Sequence, residues 1–150
     1  MSRTRRRERG QALVEFSLIL LPFLWILMGI VDLGRGIYTY NGVNQAAREL
    51  ARVTSVHTCD VNAATCTIGT SPETAAVAGT QAKLVPGLGG AGSTVTYACT
   101  SVTDVALSSV NCPSDAFVKV TVTVPFSAVT PFLGGFLPSS LSSASHIQIP

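Results

Sequence analysis

The sequence predicts an α+β fold: a long N-terminal transmembrane and amphipathic α-helix, then a small domain with one further helix and an antiparallel sheet. An apolar run at 12–31 is long enough to span a membrane. Apolar residues keep a helical spacing after this run, and the second half of the chain alternates as strands do. The 150 residues divide into a basic leader, a transmembrane helix, its amphipathic extension and an extracytoplasmic domain, at 1–10, 11–32, 33–56 and 57–150.

The apolar run carries one charge, Glu15, and one proline, Pro22, which transmembrane helices tolerate. Its twenty residues would span about 30 Å as a helix. The positive-inside rule keeps the basic leader in the cytoplasm and everything after Asp32 outside. The side chains that set this topology are Arg3, Arg5, Arg6, Arg7 and Arg9.

The basic character of the chain belongs to the leader alone. Residues 11–150 hold five basic and seven acidic side chains, a net charge of −2. The body of the protein therefore shows no basic footprint for nucleic acid.

After the membrane run, one apolar stripe is predicted to pack on the outer domain, in a helix from about 11 to 56. Its members recur at steps of three or four and are Leu33, Ile37, Tyr40, Val43, Ala47, Leu50 and Val53.

A second helix is predicted to begin with Ser71 as N-cap and Pro72 at the first position, and to end near Leu84 before Pro86. The GLGGAGS segment at 87–93 then reads as a flexible connector. It lacks the Lys-Ser/Thr pair of a phosphate loop, which argues against nucleotide binding.

Three strands are predicted, at 94–99, at 116–126 and at the end of the chain around Ile147 and Ile149. The segment 102–107 reads as another strand or as a loop. One face of the second strand is apolar and contains Val118, Val120, Val122, Val124 and Phe126.

The TPFLGGFLP segment at 130–138, with Phe132 and Phe136, is a compact apolar element between two prolines. One reading makes it a plug for the bottom of the domain core. The other makes it an exposed patch that docks on a partner or on the membrane surface.

Four cysteines in a small Ser/Thr/Gly-rich region predict disulfides in an oxidising compartment. They allow three connectivities, of which the sequential one closes the shortest loops: Cys59–Cys66 and Cys99–Cys112. Their spacing does not fit a metal site, and the chain has only two histidines, His57 and His146. No catalytic constellation, cofactor or small-molecule substrate is expected, so we do not expect an enzyme.

The N-terminus combines a basic region with an apolar one, as a secretory signal peptide does. However, the apolar run is longer than usual, and Asp32 and Arg35 follow it without a small-x-small cleavage site. We therefore expect the segment to stay on the protein.

The RGQALVEF stretch at 9–16 has a glycine followed, as the fifth residue, by a glutamate at the start of an apolar helix. This arrangement resembles the processing site of type IV prepilins. The resemblance implies cleavage between Gly10 and Gln11, with Glu15 as the fifth mature residue and Phe16 as the aromatic that commonly follows it.

The blocks ALVEFSLILLPFLWILMGIVDLGR and YNGVNQAARELAR extend this match. Over residues 9–52 the chain resembles the TadE-like family of tight-adherence (Flp/type IVc-like) pilus assembly proteins. The resemblance implies a pilin-like fold and a minor pilin or pseudopilin in the bacterial inner (cytoplasmic) membrane. The implied partners are that membrane, the prepilin peptidase, the major pilin, sister minor pilins and pilus platform proteins.

Two charged positions keep alternative interpretations. Glu15 is either a partner for the new α-amino group of a neighbouring subunit or a partner for the dipole of its own helix. Asp32 and Arg35, three apart on one helix face, form either an ion pair at the membrane border or a contact with another pilus or secretion component.

Two other functions remain open. One is an unprocessed bitopic envelope scaffold or adhesin with a disulfide-bonded outer domain. The other is a secreted binding domain released by ordinary signal peptidase. The mature N-terminus distinguishes all three functions.

Overall fold

The computed structural model describes residues 4–59, 65–108, 110, 112–113, 115–130 and 133–150. The predicted α+β class is confirmed, and the elements are α1 (Thr4–Val56), α2 (Pro72–Leu84), β1 (Thr94–Thr100), β2 (Phe117–Pro125), a 3-10 turn (Leu133–Gly135) and β3 (Ser140–Gln148). Arg3 and Phe132 lie outside the described residues, and so do the side chains of Arg5, Arg6, Arg7, Arg9 and Leu133.

Helix α1 begins at Thr4, earlier than the predicted start near residue 11. Arginine and glutamate are good helix formers, so the leader continues the helix. Within the described residues, α1 is the one helix long and apolar enough to cross a membrane, and the apolar part is not buried in the protein. This suggests a membrane anchor. The predicted domain limits and the orientation in the membrane stay predictions.

The outer half of α1 turns a different face to the domain than predicted. Leu33, Ile37 and Tyr40 are exposed. The buried positions also share one helix face, but they include polar and small residues and are Asp32, Thr39, Val43, Ala46, Ala47, Leu50, Ala51, Thr54 and Ser55. The prediction was wrong for the positions that precede Val43 in the sequence. It selected residues by hydropathy, whereas close packing also favours small residues.

Gly36 and Gly42 show this close packing. A Cβ on Gly36 would lie 3.5 Å from the ring of Phe126, and one on Gly42 would lie 3.3 Å from Val85. The outer domain therefore approaches the backbone of α1 at these two positions.

Helix α2 begins and ends as predicted. The hydroxyl of Ser71 accepts a hydrogen bond from the N–H of Thr74 (3.1 Å), and Thr74 Oγ1 lies 3.3 Å from Thr54 Oγ1 of α1. The segment after α2 is a series of turns that connects α2 to β1 with Leu88 buried, and its flexibility stays a prediction. Gly87 has φ +84°, and a Cβ there would lie 2.7 Å from Val124, which explains the glycine.

The three strands form one antiparallel sheet in the order β1-β2-β3. Thr94 pairs with Thr123 at one end of the β1–β2 ladder, and Pro125 pairs with Ser140 at the end of β2–β3. The alternation predicted for β2 is confirmed, because its inward residues are fully buried: Val118, Val120, Val122 and Val124. Helix α1 packs against β2 and β3.

Other limits of the strands differ from the predictions. Phe126 lies just beyond β2 and is half-buried. Strand β3 starts at Ser140, well before the isoleucines that indicated it, and its residues alternate between exposed and half-buried positions. Segment 102–107 is a loop with one isolated bridge, Thr100 to Ala106.

Disulfides join Cys59 to Cys66 (Cα–Cα 5.2 Å) and Cys99 to Cys112 (Cα–Cα 6.1 Å), which is the sequential connectivity. Cys99 is fully buried in the core beside β2. The second bond therefore ties the loop after β1 to the core.

Candidate functional site

The predicted processing motif lies on an exposed part of α1. Gly10, Gln11, Glu15 and Phe16 are all exposed, and Phe16 exposes 63% of its surface. A Cβ on Gly10 would meet nothing within 4 Å, so the fold of one chain places no steric demand for glycine there. The bond between Gly10 and Gln11 is accessible, although it lies within a helix.

Glu15 lies one helical turn after Gln11 on the same helix. Among the side chains that the structure describes, no ion pair involves Glu15. A partner from a neighbouring subunit would belong to a second chain, so the pairing of Glu15 with an α-amino group stays a prediction.

Asp32 lies at the end of the apolar run of α1 and binds a loop that is distant in the sequence. The N–H of Thr130 donates to Oδ2 at 2.7 Å, and the N–H of Val129 lies 3.1 Å from both carboxylate oxygens. Arg35 donates to Oδ1 at 3.2 Å, so the ion pair at this border exists as well. The side chain of Asp32 is 1% exposed, whereas that of Arg35 is 49% exposed.

The prediction for Asp32 considered only partners on its own helix or on another protein. The strongest contacts are instead with backbone groups 97 and 98 residues later in the same chain. No side-chain pattern signals such a contact, because any residue except proline offers a backbone N–H. Since the carboxylate is occupied within the chain, a contact between Asp32 and another pilus component is disfavoured.

The anchored loop connects β2 to β3 over residues 126–139, and we name it the β2–β3 loop. It is closed by a hydrogen bond from Phe126 N–H to Ser139 O (2.9 Å). Phe136 is 90% exposed and Val129 is 65% exposed. Phe136 therefore does not plug the core, whereas Phe132 and the side chain of Leu133 lie outside the described residues, so both readings of TPFLGGFLP stay open for them.

A charged cluster lies at the other end of the sheet. Lys119 Nζ donates to both oxygens of Asp104, at 3.1 and 2.8 Å, and His146 Nε2 lies 3.2 Å from Asp104 Oδ1. The hydrogen bond from Lys119, and then the attraction of Lys119 and His146, hold the pKa of Asp104 below its ordinary value. His146 therefore lies at the surface, within hydrogen-bond distance of Asp104. Elsewhere in the described chain, too, no group of three His, Cys, Asp or Glu side chains is placed to hold a metal.

Comparison with known proteins finds a similarity for most of helix α1, which is less than a third of the chain. Residues 10–52 match the family model described as TadE-like protein. This N-terminal segment is similar to the TadE-like family. The resemblance found in residues 9–52 is thereby confirmed, and the family implies a role in tight-adherence pilus assembly. The chain matches no curated protein and no solved structure.

The TadE-like segment covers the parts of the chain discussed above as candidate sites on α1. It begins at Gly10 and includes Glu15, Phe16, Asp32 and Arg35. It ends at Arg52, before the disulfides, α2 and the sheet. The partners of Asp32 in the β2–β3 loop therefore lie outside the TadE-like segment.

Proposed function

We propose that this protein is a membrane-anchored minor pilin or pseudopilin that acts in assembly of a tight-adherence, type IV-like pilus. A prepilin peptidase cuts it after Gly10 on the cytoplasmic side of the inner membrane. The protein is then the substrate of an enzyme and not an enzyme itself. The outer domain remains on the far side of the membrane, where an oxidising compartment maintains its disulfides.

The observation that carries this proposal is the position of the TadE-like match, which begins at Gly10 on an exposed part of α1. A peptidase must unwind the helix locally before it can cut the bond. Glycine in a helix interior is less stable than alanine by about 1 kcal/mol, so Gly10 lowers the cost of that unwinding. Its open surroundings leave room for the enzyme.

Cleavage creates an α-amino group on Gln11. The carboxylate of Glu15 is a partner of opposite charge for this group. In a bundle of such helices, the carboxylate of Glu15 neutralises the amine of a neighbouring subunit. An unpaired charge in an apolar surrounding is costly and a paired one is less so, so the pair favours one axial register. The other partners are the major pilin, sister minor pilins and the platform proteins of the pilus.

The test is processing of Gly10 variants in cells with the cognate peptidase. Gly10→Ala or Gly10→Leu fits the fold, yet we expect a slower-migrating precursor to accumulate. Gly34→Ala is the matched control, because a Cβ there also meets nothing within 4 Å. Normal processing of the Gly10 variants would contradict the proposal. Glu15→Ala should be cut as the wild type is but fail in pilus assembly.

A second candidate is an unprocessed bitopic envelope scaffold or adhesin. The observation that favours it is the continuity of α1, which runs from Thr4 through the bond between Gly10 and Gln11 without a break. In that case the mature protein keeps residues 1–10, and pilus assembly does not depend on Gly10.

A further inference from the structure

The β2–β3 loop extends from the end of the sheet that lies nearest to the apolar run of α1. Pro125 and Ser140 form the last pair of the β2–β3 ladder, and the loop continues beyond them. Its contact with α1 is made at Asp32, where the apolar run ends. The loop is therefore held at the level where the helix leaves lipid.

The loop also extends alongside residues of the predicted span. Val129 and Thr130 line a groove of about 220 Å³ with Leu27, Met28 and Val31 of α1. Leu27 lies five residues before Asp32, which is ~7.5 Å deeper along the helix axis. The loop lies beside Leu27 in this groove. A bilayer that surrounds the helix at the level of Leu27 would therefore also contact the loop.

The chemistry of the loop fits an interface between lipid and water. Residues 120–150 contain no Asp, Glu, Lys or Arg, so the loop itself carries no charged side chain that opposes contact with lipid. Phe136 and Val129 present apolar side chains that the protein itself leaves 90% and 65% exposed. Irregular backbone at such a depth needs partners for its N–H groups, and Asp32 provides them for Val129 and Thr130.

From these contacts we infer that the β2–β3 loop is a second membrane contact, which inserts Phe136 and Val129 into the outer interface of the bilayer that α1 spans. The inference rests on the membrane anchor of the proposed function. The partner is the lipid surface, and docking of a sister protein on the same patch is the competing outcome. The loop would fix the tilt and height of the outer domain above the membrane.

The test uses the full chain in vesicles of phosphatidylethanolamine and phosphatidylglycerol that contain brominated phosphatidylcholine. Bromine quenches tryptophan near it, and placing it high or low on the acyl chain reports depth. The wild type has a single tryptophan, Trp25, within the predicted span. In a Trp25→Phe background, Phe136→Trp places the probe on the loop. Val102→Trp is the matched control, because Val102 is 83% exposed.

Val102 follows β1 at the opposite end of the sheet, about 26 Å from the loop if β2 rises 3.3 Å per residue. We expect deep bromines to quench the wild type, shallow bromines to quench the Phe136→Trp protein, and neither to quench the Val102→Trp protein. Non-reducing mass analysis checks that both disulfides persist in each variant.

Two results would overturn the inference, and they differ in what else they overturn. If Trp25 is quenched while the Phe136→Trp protein behaves as the Val102→Trp protein does, the anchor stands and the loop does not touch lipid. The patch then remains free for a protein partner. If Trp25 is not quenched either, the membrane anchor of the proposed function fails together with the inference.

Discussion

At the scale of single residues, Asp32 connects the helix to the far end of the chain. It accepts hydrogen bonds from two backbone N–H groups of the β2–β3 loop and one from Arg35. Hydrogen bonds to a charged acceptor are stronger than those to a neutral one. The carboxylate that marks the end of the apolar run thus also determines where the loop lies.

Asp32→Asn tests this anchor. The amide keeps the shape of the side chain but loses the charge and one acceptor, so we expect the loop to open more often. Amide hydrogen exchange at Val129 and Thr130 should become several-fold faster. Glu49→Gln is the control, because Glu49 pairs with Arg52 at an exposed site on the same helix. Unchanged exchange at Val129 and Thr130 in Asp32→Asn would contradict the role of the carboxylate.

The cluster of Asp104 with Lys119 and His146 predicts a pH-dependent contribution to stability. The pKa of Asp104 is lower in the folded protein than its ordinary value. The contribution is therefore complete above about pH 4, the ordinary range of an aspartate, and is lost as the pH falls through the folded-state pKa. It should be small, because the site is exposed.

Asp104→Asn provides the measurement. Asparagine, like aspartate, tolerates the positive φ of 58° at this position, so the backbone is preserved. We expect the variant to be less stable than the wild type at pH 7 and the difference to vanish at acid pH in denaturant titrations. A difference that stays constant with pH would show that the carboxylate charge is not its source.

At the scale of elements, hydropathy predicts where the helices and strands lie better than which face they bury. The four inward valines of β2 were recognisable because they alternate strictly. Strand β3 begins with serines, and Ser143 donates to Asn44 of α1 at 2.5 Å, so polar contacts take part in holding it to the helix. Such a strand carries no apolar signal until Ile147.

The corrected face of α1 is tested by the same substitution at two positions. Leu50→Ala removes a fully buried side chain and should lower the free energy of unfolding by about 2–5 kcal/mol. Leu33→Ala shortens a side chain that is 60% exposed, so the free energy of unfolding should change by less than about 0.5 kcal/mol. Urea titrations of the full chain in detergent micelles measure both. Equal losses would mean that Leu33 also packs on the domain.

At the scale of the whole molecule, the sequence predicted the α+β class, the long N-terminal helix and the TadE-like segment, because these depend on local patterns. It did not predict the contact of Asp32 with the β2–β3 loop, and it left open whether Phe136 is buried or exposed. These depend on how distant parts of the chain meet, which no local pattern records. The candidate site on α1 can thus be predicted from the sequence, whereas the contacts that attach α1 to the β2–β3 loop cannot.

We propose above all that the chain is a prepilin-type protein whose mature form begins after Gly10. The most direct test is the intact mass of the protein purified from membranes of cells that contain the prepilin peptidase. We predict a mature form that starts at Gln11, with or without N-methylation. A protein that starts at residue 1 or 2, or beyond Asp32, would contradict the claim.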